Sequence, residues 1–232
     1  MIKRWLLLCV ALCVLCVGPV RAEDQANPAV VPVVKNPERH EAFLADIKKM
    51  EGKIDVVFLG DSITDGWRGQ KAWNEHIAPL KALNLGIGGD RTQHVLWRIQ
   101  HGELEGYKPK AFVVMIGTNN MGSDSEENIA AGVKAIVEEI QKQHPEGKIL
   151  LLGIFPRGPQ PTDALRSKVN KTNELIAKLD GKHVKFLDMN AKLMEPDGSL
   201  SKEVMPDFVH LSPKGYAIWA AAIEKDLKEM LK

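Results

Sequence analysis

Residues 55–64 read DVVFLGDSIT, an apolar run that breaks off into Gly60, Asp61, Ser62 and Thr64. The run at 55–59 lacks the polar alternation of a strand with one wet face. It suits a strand covered on both faces, as in a parallel sheet. Four more runs of this kind lie further along the chain. Ala82 to Leu85 precedes Gly86-Ile87-Gly88-Gly89-Asp90, and Ala111 to Ile116 precedes Gly117-Thr118-Asn119-Asn120. Lys148 to Ile154 and Val184 to Leu187 complete the set.

Helical patterns fill the intervals. Asn36-Pro37 has the form of a helix start, with Asn as cap and Pro in the first turn, and Phe43, Ile47 and Met50 follow at helical spacing. Ile129, Val133, Ile136, Val137 and Ile140 form a second stripe, for which Ser123 and Glu126 predict a capping box. Leu165, Val169, Leu175, Ile176 and Leu179 form a third stripe. Tyr216, Trp219, Ile223, Leu227 and Met230 form the last, started by Ser212-Pro213. Strand and helix alternating this regularly predict an α/β fold, a three-layer α/β/α sandwich on a five-stranded parallel sheet. Ligands of such sheets bind beyond the carboxyl ends of the strands. The loops that begin at Gly60, Gly86 and Gly117, with any late loop reaching the same edge, are therefore the candidate site.

The first residues stand apart from this pattern. Lys3 and Arg4 precede the apolar stretch Trp5–Val17, and Val20-Arg21-Ala22 places small residues where a signal peptidase reads. This predicts a signal peptide over 1–22, cleaved after Ala22, and a secreted or periplasmic protein. An uncleaved anchor is the alternative, although the apolar stretch is shorter than the roughly 20 residues that span a bilayer. Residues 23–35 read as an extended lead-in, and 36–232 as one domain. All three cysteines, Cys9, Cys13 and Cys16, fall in the leader. The mature chain then has no disulfide, no thiol nucleophile and no cysteine metal site. Loss of Lys3, Arg4 and Arg21 takes the formal charge from +1 to −2. That balance predicts no nucleic-acid partner and, once the leader is cleaved, no stable membrane insertion.

Ser62, just past the first strand, is either a helix cap or an exposed nucleophile. A nucleophile needs a base held by a carboxylate. Of the seven histidines, His40, His76, His94, His101, His144 and His183 read as ordinary polar residues on helices or surface turns. His210 lies in a loop before the last helix with Asp207 three residues earlier, a spacing that lets the carboxylate reach Nδ1 and leaves Nε2 for Ser62. Backbone N–H groups at Ser62 and in the Gly88-Gly89 turn, with the Asn119 amide, could serve as oxyanion donors. Gly86-Ile87-Gly88-Gly89-Asp90-Arg91 fails as a dinucleotide loop because its third glycine position is Arg91. The 60–64 segment lacks the second glycine of the G-x-S-x-G elbow. The aspartates at 55, 61, 65 and 90 are too scattered to argue for a metal.

Together, Gly60-Asp61-Ser62, Gly89, Gly117-Thr118-Asn119 and Asp207-x-x-His210 resemble, in order, the four blocks of the SGNH (GDSL-type) hydrolases. The segments 84–90, 94–98, 102–105, 116–120 and 156–158 are further similar to the catalytic subunits of intracellular platelet-activating-factor acetylhydrolases. The resemblance implies a flavodoxin-like sandwich, no metal or cofactor, and a catalytic triad of Ser62, Asp207 and His210. It also implies an oxyanion hole of Ser62, Gly89 and Asn119. Ile63, Thr118 and Val209 match the walls of a small acyl pocket, which predicts an esterase acting on acetyl or other small acyl esters. Those subunits pair with one another, so a homodimer is one expectation. The leader and a divergent segment 64–70 point away from their lipid substrate and toward an acetylated glycan, with Trp67 either a sugar platform or a core residue. A non-catalytic carbohydrate-binding module and a lipid esterase or thioesterase of broader chain length are the alternatives.

Overall fold

The computed structural model describes residues 27–232. The expected leader, 1–22, and the first residues of the expected lead-in, 23–26, lie outside the described residues. Five strands, β1 (Val56–Gly60), β2 (Ala82–Gly86), β3 (Ala111–Met115), β4 (Lys148–Leu152) and β5 (Val184–Leu187), pair in parallel in the order β2-β1-β3-β4-β5. That order is the flavodoxin-like one, and it reverses between β1 and β3, where a crevice opens at the carboxyl edge. The register aligns Gly60 with Gly86 on one side and with Met115 on the other, so three strands end level with one another.

Alternate strand residues feed two cores. Val57, Leu59, Leu85, Phe112, Val114 and Leu151 pack under α1 (Pro37–Lys49), α3 (Thr92–Ile99), α4 (Glu126–Gln143) and α5 (Ala164–Ile176). Val56, Phe58, Val113, Met115 and Leu150 pack under α2 (Ser62–Asp65), α6 (Asn190–Leu193) and α7 (Pro213–Met230). In β1 to β4 the absence of alternation is explained by these two dry faces, whereas the edge strand β5 buries Val184 and leaves Lys185 exposed.

Helix starts follow local chemistry. Asn36 accepts from the Arg39 N–H, and Ser212 from the Gly215 N–H, as their positions before proline predict. The expected cap of α4 is corrected. Ser125, not Ser123, accepts the Asn128 N–H, while Ser123 donates to Asp124. Ser123 has the Glu three residues on that a capping box needs and Ser125 has Asn128 there instead, but the turn at Asn120–Asp124 delays the helix and makes Ser125 the cap. Part of the lead-in is docked. Pro28–Val30 forms a 3₁₀ turn, Ala29 is buried, and its carbonyl accepts from Thr92 Oγ1 at 2.9 Å. Residues 32–36 then lead into α1 without regular secondary structure.

Candidate active site

Ser62 opens α2 directly beyond the end of β1. Two close approaches set its position. A β-carbon on Gly86 would fall 2.3 Å from the Asp65 nitrogen, so α2 can lie against β2 only because residue 86 has no side chain. From the other core, Tyr216 on α7 donates its hydroxyl to the Ile63 carbonyl at 2.8 Å. The Ser62 Oγ lies 2.9 Å from His210 Nε2, and His210 Nδ1 lies 2.7 Å from Asp207 Oδ2. The three residues expected to meet do so, across 148 positions of sequence.

The Asp207–His210 turn is built for this contact. Asp207 Oδ1 accepts the N–H groups of Val209 at 3.0 Å and His210 at 2.7 Å, and Phe208 takes a left-handed φ of 59° that curls the loop back on itself. A non-glycine residue there carries about 1–2 kcal/mol of strain. The Phe208 carbonyl is tied down by the Gly158 N–H. Burial pushes the Asp207 carboxyl up, but the His210 ring and two backbone N–H groups outweigh it and hold the group at about 2. An ionised Asp207 can only accept, so the proton of the imidazole resides on Nδ1 and Nε2 presents a lone pair to Ser62.

The donors sit opposite. Gly88 packs near Ser62, its notional β-carbon 3.9 Å from the serine Cβ, and Gly89 holds φ at +74°. Neither the Ser62 nor the Gly89 N–H has a hydrogen-bond partner among the described residues. Asn119, on the short turn after β3, donates one amide hydrogen to the Asp90 carbonyl at 2.8 Å, which leaves the second hydrogen to point elsewhere. Asp90 is anchored from within. Its Oδ2 accepts from Arg98 Nε at 2.9 Å, Arg98 also pairs with Glu103, and Glu103 bonds buried His40 at 2.9 Å. Sequence reasoning missed this chain of buried charges. Its signal was Arg98 on a helix face otherwise made of Val95, Leu96 and Ile99, where an arginine persists only if paired. His40, expected to be an ordinary surface residue, is 4 % exposed because it closes that chain.

Of the expected pocket walls, Ile63 and Thr118 are buried and Val209 is half-buried. Val209 lines a shallow hollow of about 280 Å³ with Arg157, Leu165 and Phe208 beside Asp207. Arg157 reaches across to the Thr118 carbonyl at 2.8 Å. A larger hollow, about 740 Å³, lies at the amino-terminal edge of the sheet between Gly106–Pro109 and Pro145–Gly147, and Ser62, Asp207 and His210 do not line it. Of the two readings of Trp67, the core one holds: it is fully buried, stacked 4.0 Å from the Trp219 ring and edge-on to Phe58, so it offers no sugar platform. Its place one turn beyond Ser62, between α2 and α7, is what buries it. No cluster of three or more potential metal ligands occurs among the described residues.

Asp61 beside the serine is fully buried. Oδ1 accepts the Ile63 N–H at 2.9 Å and Oδ2 has no partner among the described residues. Burial pushes this carboxyl up to about 7, against the Ile63 bond and with help from the Asp90 charge. The folded chain thus keeps a proton that the unfolded chain releases near pH 4, and stability falls as pH rises from about 4 to 7. Asp61→Asn retains the acceptor and removes the charge. It is expected to stabilise the protein by about 1–4 kcal/mol at pH 8 and by little at pH 4.5. Urea unfolding at the two pH values checks this; an equal gain at both would be the wrong sign of behaviour for a buried, protonated Asp61.

A model of the GDSL-like lipase/acylhydrolase family matches residues 58–218. The chain is 39 % identical over 221 residues to the human platelet-activating factor acetylhydrolase IB subunit alpha2, covering 91 % of this chain and 95 % of that one. It is 41 % identical over 194 residues to the bovine alpha1 subunit, covering 83 % and 82 %. A GDSL-like lipase from Bacteroides thetaiotaomicron shares the fold, with a TM-score of 0.67 at 21 % identity over 84 % of this chain and 98 % of that one. No described helix is long and apolar enough to cross a membrane.

Proposed function

Because the chain belongs to the GDSL-like lipase/acylhydrolase family and is a carboxylic ester hydrolase, we propose that it cleaves acetyl and other short acyl esters through an acyl-enzyme on Ser62. The observation that carries this reading is the hydrogen-bonded line Ser62–His210–Asp207 at the sheet's carboxyl edge. His210 Nε2 takes the Ser62 proton as Oγ bonds to the acyl carbon, and the carbonyl electron pair moves onto oxygen. The Ser62 and Gly89 N–H groups and the Asn119 amide receive that negative charge. Collapse breaks the ester C–O bond, and the leaving alcohol takes the proton from His210. Water then repeats the sequence, delivering its proton to His210 and releasing the carboxylic acid and free Ser62.

The acetyl preference is supported by the relatives' names and by the match of Ile63, Thr118 and Val209 to the small acyl-pocket walls of the family the sequence resembles. The alcohol side is open. The Asp207 and His210 side chains are about half exposed, at 57 % and 47 %, so a bulky alcohol has room at the rim. Residues 1–22 support export, with a mature chain beginning at Glu23.

Hydrolysis of p-nitrophenyl acetate is expected to exceed that of the octanoate by about 10-fold or more in kcat/KM, the scale on which a small pocket rejects added methylenes. Equal values would replace the short-acyl reading with that of a broad lipid esterase. A fluorophosphonate should add to Ser62, as seen by intact mass of the protein recovered from outside the cytoplasm. The same mass tells whether the chain starts at Glu23. An unlabelled Ser62 would indicate a binding module that has the arrangement without the reactivity.

A further inference from the structure

Lys35 belongs to the strap ahead of α1, not to the strand-end loops, yet its ammonium reaches the oxyanion loop. Nζ donates to the Gly88 carbonyl at 2.8 Å and stands 3.8 Å from Asp90 Oδ1. The strap that carries it is held on both sides. The Val33 N–H donates to the Gln93 carbonyl at 3.2 Å, and Asn36 caps α1. Ala29 is buried further back, its carbonyl bonded by Thr92 Oγ1. The ammonium also lies so close to residue 89 that a β-carbon there would fall 2.6 Å from Nζ. Glycine at 89 answers to the left-handed backbone, and the close approach shows that the ammonium lies directly against the Gly88–Gly89 peptide.

The Gly88 carbonyl and the Gly89 N–H are the two ends of one peptide group. A donor on the oxygen draws electron density from the nitrogen and makes its N–H a stronger donor in turn. With a charged donor the effect is larger, because charge-assisted hydrogen bonds are roughly twice as strong as neutral ones. A neutral ester carbonyl gains little from this, and a tetrahedral oxyanion gains much. The benefit falls on the transition state.

We propose that Lys35 is a positioning residue of the oxyanion site, fixing and polarising the Gly88–Gly89 peptide so that the Gly89 N–H meets developing negative charge. The inference rests on the reading of Ser62 as nucleophile and Gly89 as donor. Asp90, gripped by Arg98 from the core and approached by Lys35 from the surface, keeps the loop between them in register.

The test uses the full chain with Lys35→Met, which keeps an unbranched aliphatic side chain and loses the charge, and Lys35→Arg, which keeps the charge. With p-nitrophenyl acetate, Lys35→Met is expected to lower kcat about 10-fold, less than the 10²–10³ of deleting a direct donor, with KM within about twofold. The affinity of a trifluoromethyl ketone, which forms a reversible tetrahedral adduct with the serine, should weaken by a similar factor. Lys35→Arg should recover most of both. If Lys35 served only to tie down the strap, the thermal midpoint would fall while kcat and inhibitor affinity stayed at the wild-type values, and the proposal would be overturned. Ser62→Ala separates the two levels. Wild-type hydrolysis that does not depend on Ser62 removes the functional reading and this inference together. Hydrolysis that depends on Ser62 but not on the charge at 35 removes the inference alone.

Discussion

Ser62→Ala is expected to abolish ester hydrolysis, with kcat falling on the order of 10⁴–10⁶-fold, while the protein stays folded. The size of the loss follows from the geometry. The Oγ lies 2.9 Å from His210 Nε2 and is the nucleophile, so without it no acyl-enzyme can form. What survives is an oxyanion site that could still favour attack by water, and such remnants account for only a small part of a serine hydrolase's acceleration. The fold should not notice. α2 is held by the Asp61 side-chain oxygen on the Ile63 N–H, by Tyr216 on the Ile63 carbonyl, and by the close contact with Gly86, none of which uses the serine hydroxyl. The one bond removed is at the surface and contributes about 0.5–1.5 kcal/mol. Initial rates on p-nitrophenyl acetate, read beside a urea midpoint, decide the matter. A variant as stable as wild type and still turning over at the wild-type rate would eliminate the acyl-enzyme.

The strands were the most legible part of this molecule, because burial on two faces writes an uninterrupted apolar run that little else produces at that length. The placement of Ser62, Gly89 and Asn119 was legible for a related reason. Each follows such a run, and the parallel topology brings the carboxyl ends of β1, β2 and β3 together. His210 could be found only by elimination and by its partner, since nothing local shows that the loop before α7 folds back to the same edge. Of the buried charges under the site, only Arg98 left a trace in the sequence. Asp90, Glu103 and His40 look like solvated residues until the fold removes water from all of them at once. Lys35 was hidden for a different reason. It sits in a stretch whose composition reads as a linker, and a linker's docking is decided by the surface it meets, not by its own pattern. Trp67 was ambiguous between surface and core because a four-residue helix has no periodicity from which to read a buried face.

Asp207→Asn is expected to be nearly as damaging as the loss of Ser62, lowering kcat about 10⁴-fold with the loop intact. In the wild type, Oδ1 accepts two backbone N–H groups and Oδ2 accepts the His210 ring. An asparagine has one accepting and one donating end, and the backbone decides which goes where. Turning the NH₂ toward the Val209 and His210 N–H groups would set donors against donors. The amide oxygen therefore stays on the backbone, and the NH₂ takes the place of Oδ2, 2.7 Å from Nδ1. Nδ1 must then accept, the imidazole proton moves to Nε2, and the ring faces Ser62 with a hydrogen where it needs a lone pair. Asp207→Ala loses the turn but leaves His210 free to choose its tautomer. The asparagine variant should thus be the better folded and no more active of the two, an order that packing alone would not give. Protonation of Asp207 could mimic the substitution only at extreme acidity. The carboxyl is held at about 2, so its small, largely solvent-exposed contribution to stability is present above about pH 4 and is lost only as the pH falls toward 2. Loss of activity at milder acidity must come from elsewhere in the site. Nitrogen-15 spectra of the His210 ring report the tautomer directly. A variant with Nδ1 still protonated, or with kcat within tenfold of wild type, would refute the role assigned to Asp207.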